Sequence, residues 1–191
     1  MEAHPQIEWV NLILYISECI DRRISKSGKH SVQVAELTKN TAQRMSLNER
    51  ETQTIYWAAL LHDIGKVGVP EFVLMKNGPL NKREWSVMRL HPTIGANIVS
   101  SLKEIAYLAP IIHAHQEKFD GSGYPFGLRG EKIPLGARIL AVVDAYDAMT
   151  DERVYRKARS HEAAVEELRN LRGKQFDPEI VQAFIQTIGE N

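Results

Sequence analysis

Among the side chains of this sequence of the kinds that hold divalent cations, six stand out as candidates: His30, His62, Asp63, His91, His115 and Asp144. His62 and Asp63 are adjacent and are followed by Ile64, Gly65 and Lys66, so one nitrogen and one hard oxygen stand at the end of an apolar stretch. The chemistry open to such a set is phosphoryl displacement. A cation lowers the pKa of the water it holds, and two cations ~3.5–4 Å apart stabilise both the attacking and the leaving oxygen. A pair of that kind needs imidazoles, carboxylates and at least one bridging carboxylate. Asp144 follows the apolar run Ile139, Leu140, Ala141, Val142, Val143, and a buried carboxylate must be paired, protonated or metal-bound. The run Asp120, Gly121, Ser122, Gly123, Tyr124, Pro125 is too polar and too permissive in backbone to be core.

Each residue also has an ordinary reading. A lone histidine is more often a hydrogen-bonded core or surface residue than a ligand, and His4 and His161 keep that reading. Asp144 has Arg138 and Arg153 as alternative ion-pair partners. The ordered set argues otherwise only when it is taken together.

The elements that must position these groups are helical. Apolar periodicity predicts helices over residues 6–24 and 29–45. Ser46 and Glu49 have the spacing of a capping box, which starts a third helix ending near Gly65. Asn81 with Glu84 repeats that signal for a helix carrying Trp85, and another helix is expected over 104–116. A loop over 118–133 precedes a buried helix over 134–150. Ser160 starts a helix ending near Gly173, and Asp177-Pro178 opens the last one. No alternating strand pattern or internal repeat is present. The expected fold is all-α, a single domain over 1–191 with residues 1–7 as a flexible tail.

An apolar fraction of 43% and a charged fraction of 25% are those of a soluble globular chain with a sizeable core. Lys+Arg and Asp+Glu are equal at 24, which argues against duplex nucleic acid, since that partner needs a basic face. No run approaches the ~18 apolar residues of a membrane span. No basic region leads into an apolar stretch at the N-terminus, so no membrane association and a cytoplasmic location are expected. Cys19 is the only cysteine, which excludes an internal disulfide, and its apolar surroundings predict a core position.

The order His30, His62-Asp63, Asp144 resembles the metal quartet of the HD phosphohydrolase superfamily. Further stretches resemble its HD-GYP branch, the bacterial cyclic di-GMP phosphodiesterases of signalling: 62–66 with Val69-Pro70, Leu90-His91-Pro92 with Gly95, 117–125, 127–134, Arg138-Ile139 with Asp144, Tyr146 and Asp147, then Arg153, Tyr155, Arg156 and Lys157, and Phe176-Asp177-Pro178. The match spans about residues 8 to 190. It implies a single helical HD-type phosphohydrolase domain that hydrolyses cyclic di-GMP to pGpG and onward to GMP.

By that resemblance, His30, His62, Asp63 and Asp144 hold one metal, with Asp63 bridging to a second held by His91 and His115. Asp63 and Lys66 would be catalytic, and Lys66, Tyr124, Arg153 and Arg156 would bind substrate. The cofactors would be two divalent ions, iron or manganese, with zinc or nickel tolerated. Gly123, Tyr124 and Pro125 would also offer a surface to diguanylate cyclase domains.

Two departures bear on this. The family commonly has a second histidine where this chain has Gln116, and an amide oxygen is a poorer ligand than imidazole. His113 lies about 60° around a helix from position 116, so it would need local unwinding to compensate. Members binding a third metal carry a glutamate where this chain has Lys26, which implies two ions rather than three. Gln116 also supports a rival reading, a catalytically weak regulatory module that binds nucleotide or a partner through the Gly-Tyr-Pro loop. A second rival is a general HD-type hydrolase of another nucleotide, such as a different cyclic dinucleotide.

Overall fold

The computed structural model describes residues 5–24, 28–151 and 158–189. Lys26, Arg153 and Arg156 lie outside the described residues. Those described are all-α: α1 (Pro5–Ile24), α2 (His30–Arg44), α3 (Glu49–Leu61), α4 (Glu71–Leu74), α5 (Lys82–Met88), α6 (His91–Ser100), α7 (Ala109–Ala114), α8 (Leu135–Thr150), α9 (His161–Asn170) and α10 (Pro178–Thr187). Short 3-10 turns cover Ile64–Gly68, Ala106–Leu108 and Gly130–Lys132. α1 starts at Pro5, because proline suits a first helical turn.

The core forms where α2 packs against α3, α8 and α10. α8 is its axis: Ile139, Leu140, Val142 and Val143 are fully buried, each side chain contributing about 1.5–3 kcal/mol of transfer free energy. Val34 and Ala35 of α2, Leu60 and Leu61 of α3, and Phe184 of α10 close around it. Arg138 of α8 pairs at 2.6 Å with Asp177, whose carboxylate also caps α10 by accepting from the Glu179 N–H at 3.0 Å. Arg138 is therefore committed away from Asp144.

Several boundaries differ from expectation for local reasons. The capping box of α3 is Asn48 with Glu51, not Ser46 with Glu49. Ser46 has φ +61°, the left-handed conformation that ends α2, whereas a cap residue needs extended backbone like that of Asn48. The helix expected over 104–116 is a 3-10 turn followed by α7, with Pro110 in its first turn. α6 was not anticipated as a separate helix, and Pro92 in its first turn is the signal that marked it.

Cys19 is exposed rather than core. The inner face of α1 carries Ser17, Ile20 and Asp21 instead. Ser17 Oγ donates to the Leu60 carbonyl at 2.6 Å, and Asp21 accepts from the Ser31 N–H and Oγ, both at 2.8 Å. These bonds pin the start of α2, where His30 stands.

Candidate metal centre

Five elements bring the expected ligands to one place. His30 opens α2, His62 and Asp63 follow α3, His91 opens α6, His115 follows α7, and Asp144 lies within α8. Two clusters result, His30 with His62 and Asp144, and Asp63 with His91 and His115. Within each, one donor atom per residue lies within 4.8 Å of the others. All but Asp144 are buried.

The closeness depends on Gly65. A Cβ there would sit 1.9 Å from the His91 carbonyl oxygen and 2.5 Å from the Gly95 nitrogen. Only glycine lets the turn Ile64–Gly68 lie against α6, and that contact carries Asp63 to His91.

The four imidazoles are oriented alike. Nδ1–H of His62 donates to the Ala59 carbonyl at 2.7 Å, that of His91 to Met88 at 2.8 Å, and that of His115 to Ile112 at 2.6 Å. His30 Nδ1 bonds Asp147 at 2.6 Å. Since a carbonyl or carboxylate oxygen accepts, Nδ1 carries a proton and each Nε2 is the nitrogen turned inward, the arrangement ligand histidines adopt. Rings 30, 62, 115 and 91 follow one another edge to face at 5.1–5.3 Å between neighbours, joining the two clusters.

The inward nitrogens surround the carboxylates. His30 Nε2 is 3.4 Å from Asp144 Oδ1, and His62 Nε2 is 3.3 Å from Asp63 Oδ2. Two donors each about 2.1 Å from one cation stand about 3.0–3.4 Å apart in octahedral or tetrahedral geometry. The Asp63 oxygens divide: Oδ2 faces His30 and His62, while Oδ1 is 3.7 Å from His91 Nε2. That is the placement a bridging carboxylate needs.

Two features fit a cation. Buried His62 Nε2 has no hydrogen-bond partner. Nε2 of His91 and Nε2 of His115 face each other at 3.2 Å, two acceptors with no proton of their own between them.

Electrostatics agree. Burial opposes a charge on His62, but the Asp63 and Asp144 carboxylates outweigh it and push its pKa up to about 9. Burial, with His91 and His62 adding to it, takes His115 down to about 3. Burial also lowers His91, assisted by Lys66. Burial disfavours ionised Asp63, yet His62, Lys66 and His91 hold its carboxyl well below the usual range. Burial thus favours the uncharged form of His91 and His115, and the carboxylates draw positive charge to their centre.

The centre forms one wall of a cavity of about 330 Å³ that is also lined by Lys66, Trp85, Gln116 and Tyr124. Lys66 Nζ reaches Asp63 Oδ2 at 2.5 Å. Gln116 Oε1 accepts from the Tyr124 hydroxyl at 3.2 Å. Burial first, then repulsion from Asp63 and Asp144, raises the Tyr124 pKa to about 12 against the pull of Arg89, so the phenol remains a donor. His113 bonds Thr93 at 3.1 Å and meets the Phe126 ring edge to face at 4.4 Å between centroids. It belongs to neither cluster and does not replace Gln116 as a ligand.

The loop 118–133 is shaped by Glu117, whose buried carboxylate accepts from the Phe126 N–H at 2.7 Å and the Leu128 N–H at 3.0 Å. A Cβ on Gly123 would lie 2.3 Å from the Lys118 nitrogen. Gly123 and Tyr124 are consequently half-buried, and only Pro125 of the three is exposed.

Sequence reasoning gave no role to Asp147, Glu117 or Asp21. Asp147 had a signal, since it lies three residues from Asp144 and a ligand histidine needs an acceptor for its second nitrogen. Asp21 had none, because its partner Ser31 is ten residues away on another helix.

The HD domain family pattern matches residues 15–180. The chain is 40% identical over 166 residues to a cyclic di-GMP phosphodiesterase of Thermotoga maritima, covering 86% of this chain and 45% of that protein. It is 44% identical over 147 residues to the cyclic di-GMP phosphodiesterase response regulator RpfG of Xanthomonas campestris, covering 76% and 39%. The chain thus spans less than half the length of these curated relatives. A Vibrio cholerae structure described as a cyclic GMP-AMP specific phosphodiesterase superposes with a TM-score of 0.73 at 20% identity, over 93% of this chain and 48% of that one, a likeness of fold.

Proposed function

The chain belongs to the HD domain family, in its HD-GYP branch, and on that premise we propose that it hydrolyses cyclic di-GMP to linear pGpG and onward to GMP. One observation carries the reading: four imidazoles, each locked through Nδ1, turn Nε2 onto Asp63 and Asp144 at the wall of an open cavity. His30, His62 and Asp144 would hold one divalent ion and His91 and His115 a second, with Asp63 shared between them. The mixed nitrogen and oxygen set suits iron or manganese and tolerates zinc or nickel. Such ions supply Lewis-acid stabilisation of phosphate charge and lower the pKa of water at the site.

The chain's own residues do the remainder. Lys66, at the cavity wall beside Asp63, contacts the scissile phosphate and offsets its negative charge. Tyr124, a neutral donor at working pH, closes the rim of the cavity. Arg153 and Arg156 are further phosphate contacts in this reading. The activity is placed in the cytoplasm. In this reading a diguanylate cyclase domain docks on Gly123, Tyr124 and Pro125 of the loop 118–133, of which Pro125 is exposed.

The test is turnover by protein loaded anaerobically with iron or manganese, with pGpG and GMP separated by chromatography. Cyclic di-AMP and the mixed GMP-AMP cyclic dinucleotide serve as competing substrates. Hydrolysis of cyclic di-GMP that depends on metal supports the reading. Metal-loaded protein that binds cyclic di-GMP and leaves it intact would establish the regulatory alternative. Lys66→Ala should keep fold and metal yet lose on the order of a hundredfold in kcat/KM, the scale of one preorganised charge contact.

A further inference from the structure

A second cavity, of about 590 Å³, adjoins the one beside the metal centre. Trp85, Gln116 and Tyr124 line both and form the wall between them. Beyond that wall stand Lys82, Arg89 and Lys118, and among the described residues the lining includes no aspartate or glutamate. Three cations turned to one hollow without a carboxylate make it a place for negative charge.

The wall is held in position. The Tyr124 hydroxyl donates to Gln116 at 3.2 Å, and the Arg89 guanidinium lies 5.1 Å from the Tyr124 ring centre. Trp85 is 48% exposed, on a helix none of whose residues is buried. That helix, α5, is nonetheless anchored: Asn81 and Glu84 form its capping box, and Lys76 pairs with Glu84 at 2.6 Å. Core packing therefore gives no reason for an indole at position 85, whereas an aromatic face beside cations is what a nucleobase next to a phosphate requires.

We propose that this second cavity is the subsite for the half of the substrate that is not cleaved. Its phosphodiester lies against Lys82, Arg89 and Lys118, and its base stacks on Trp85. The inference rests on the cyclic dinucleotide reading. It explains how one site takes two linked nucleotides: the scissile phosphate sits by Lys66 and the metal ligands, and the second crosses the wall of Trp85 and Tyr124. A mononucleotide would fill one cavity and gain nothing from the other.

Steady-state kinetics on cyclic di-GMP test this with Lys82→Ala, Lys118→Ala, Trp85→Ala and Trp85→Phe. Each lysine variant should raise KM roughly fivefold to tenfold with kcat changed less than threefold. Trp85→Ala should raise KM on the order of tenfold or more, within the range of a lost base stack, and Trp85→Phe should restore most of it. Metal content should match the wild type. KM values within twofold of wild type in all variants, or losses confined to kcat, would overturn the subsite.

If the wild type turns over no cyclic dinucleotide, the catalytic reading fails and the subsite is judged by titrating metal-loaded protein with cyclic di-GMP. Weaker binding by Lys82→Ala and Trp85→Ala then supports it. Equal binding, or none by the wild type, refutes it.

Discussion

At the scale of single residues, the clustered imidazoles are only as well placed as the groups that hold their other nitrogens. Three use carbonyls one turn back, which the helix ends provide in any case. His30 depends on Asp147, a side chain 117 positions away in sequence. Asp147→Ala should weaken metal binding about 10–100-fold, and Asp147→Asn, which keeps an acceptor oxygen, should recover much of it. Metal titration with a competing chelator reads both. Equal affinity in Asp147→Ala and wild type would mean that His30 needs no such support. Gln116 is engaged with Tyr124, so the second cluster consists of Asp63, His91 and His115. Gln116→His should raise metal occupancy and turnover together. If neither moves, position 116 does not limit the site.

At the scale of elements, the centre depends on helices meeting closely at one point. The turn Ile64–Gly68 touches α6 through Gly65, where no side chain fits between the two backbones. Gly65→Ala must push them apart, at a cost of about 1–3 kcal/mol or more. For a chain of this size that lowers Tm by roughly 2–4 °C per kcal/mol. Because Asp63 and His91 sit on either side of the contact, bound metal should fall as well. A variant that melts early but binds metal normally would separate the packing from the site. α5 stands at the opposite extreme: capped firmly and burying nothing, it can accept surface substitutions without unfolding the core.

At the scale of the whole molecule, the clustered side chains come from five elements, so cations bound there would tie together parts of the chain from His30 to Asp144. A ligand that binds only the folded state stabilises it by about 2.7 kcal/mol at a hundred times its Kd. Stripping metal with a chelator should therefore lower Tm by about 5–10 °C at that loading. Asp63→Ala, lacking the shared carboxylate, should show little of this shift. A chelator-insensitive Tm in protein with measured metal would mean that the ions add nothing to the fold.

The sequence by itself determined the helical class, because apolar periodicity and cap residues are local signals. It also supplied the imidazoles and carboxylates that the fold gathers into two clusters, because their order along the chain, taken together, is legible without the structure. What it could not supply was anything set by two distant segments meeting. The division of the Asp63 oxygens between two clusters, Asp147 behind His30, and the Gly65 contact with α6 arise from packing across α2, α3, α6 and α8. The same holds for errors. Ser46 looked like a cap until its left-handed backbone excluded it, and Cys19 looked like core until α1 turned Ser17 and Asp21 inward. Residue type fixes which chemistry is open to a chain, and tertiary structure decides which atoms face one another to perform it.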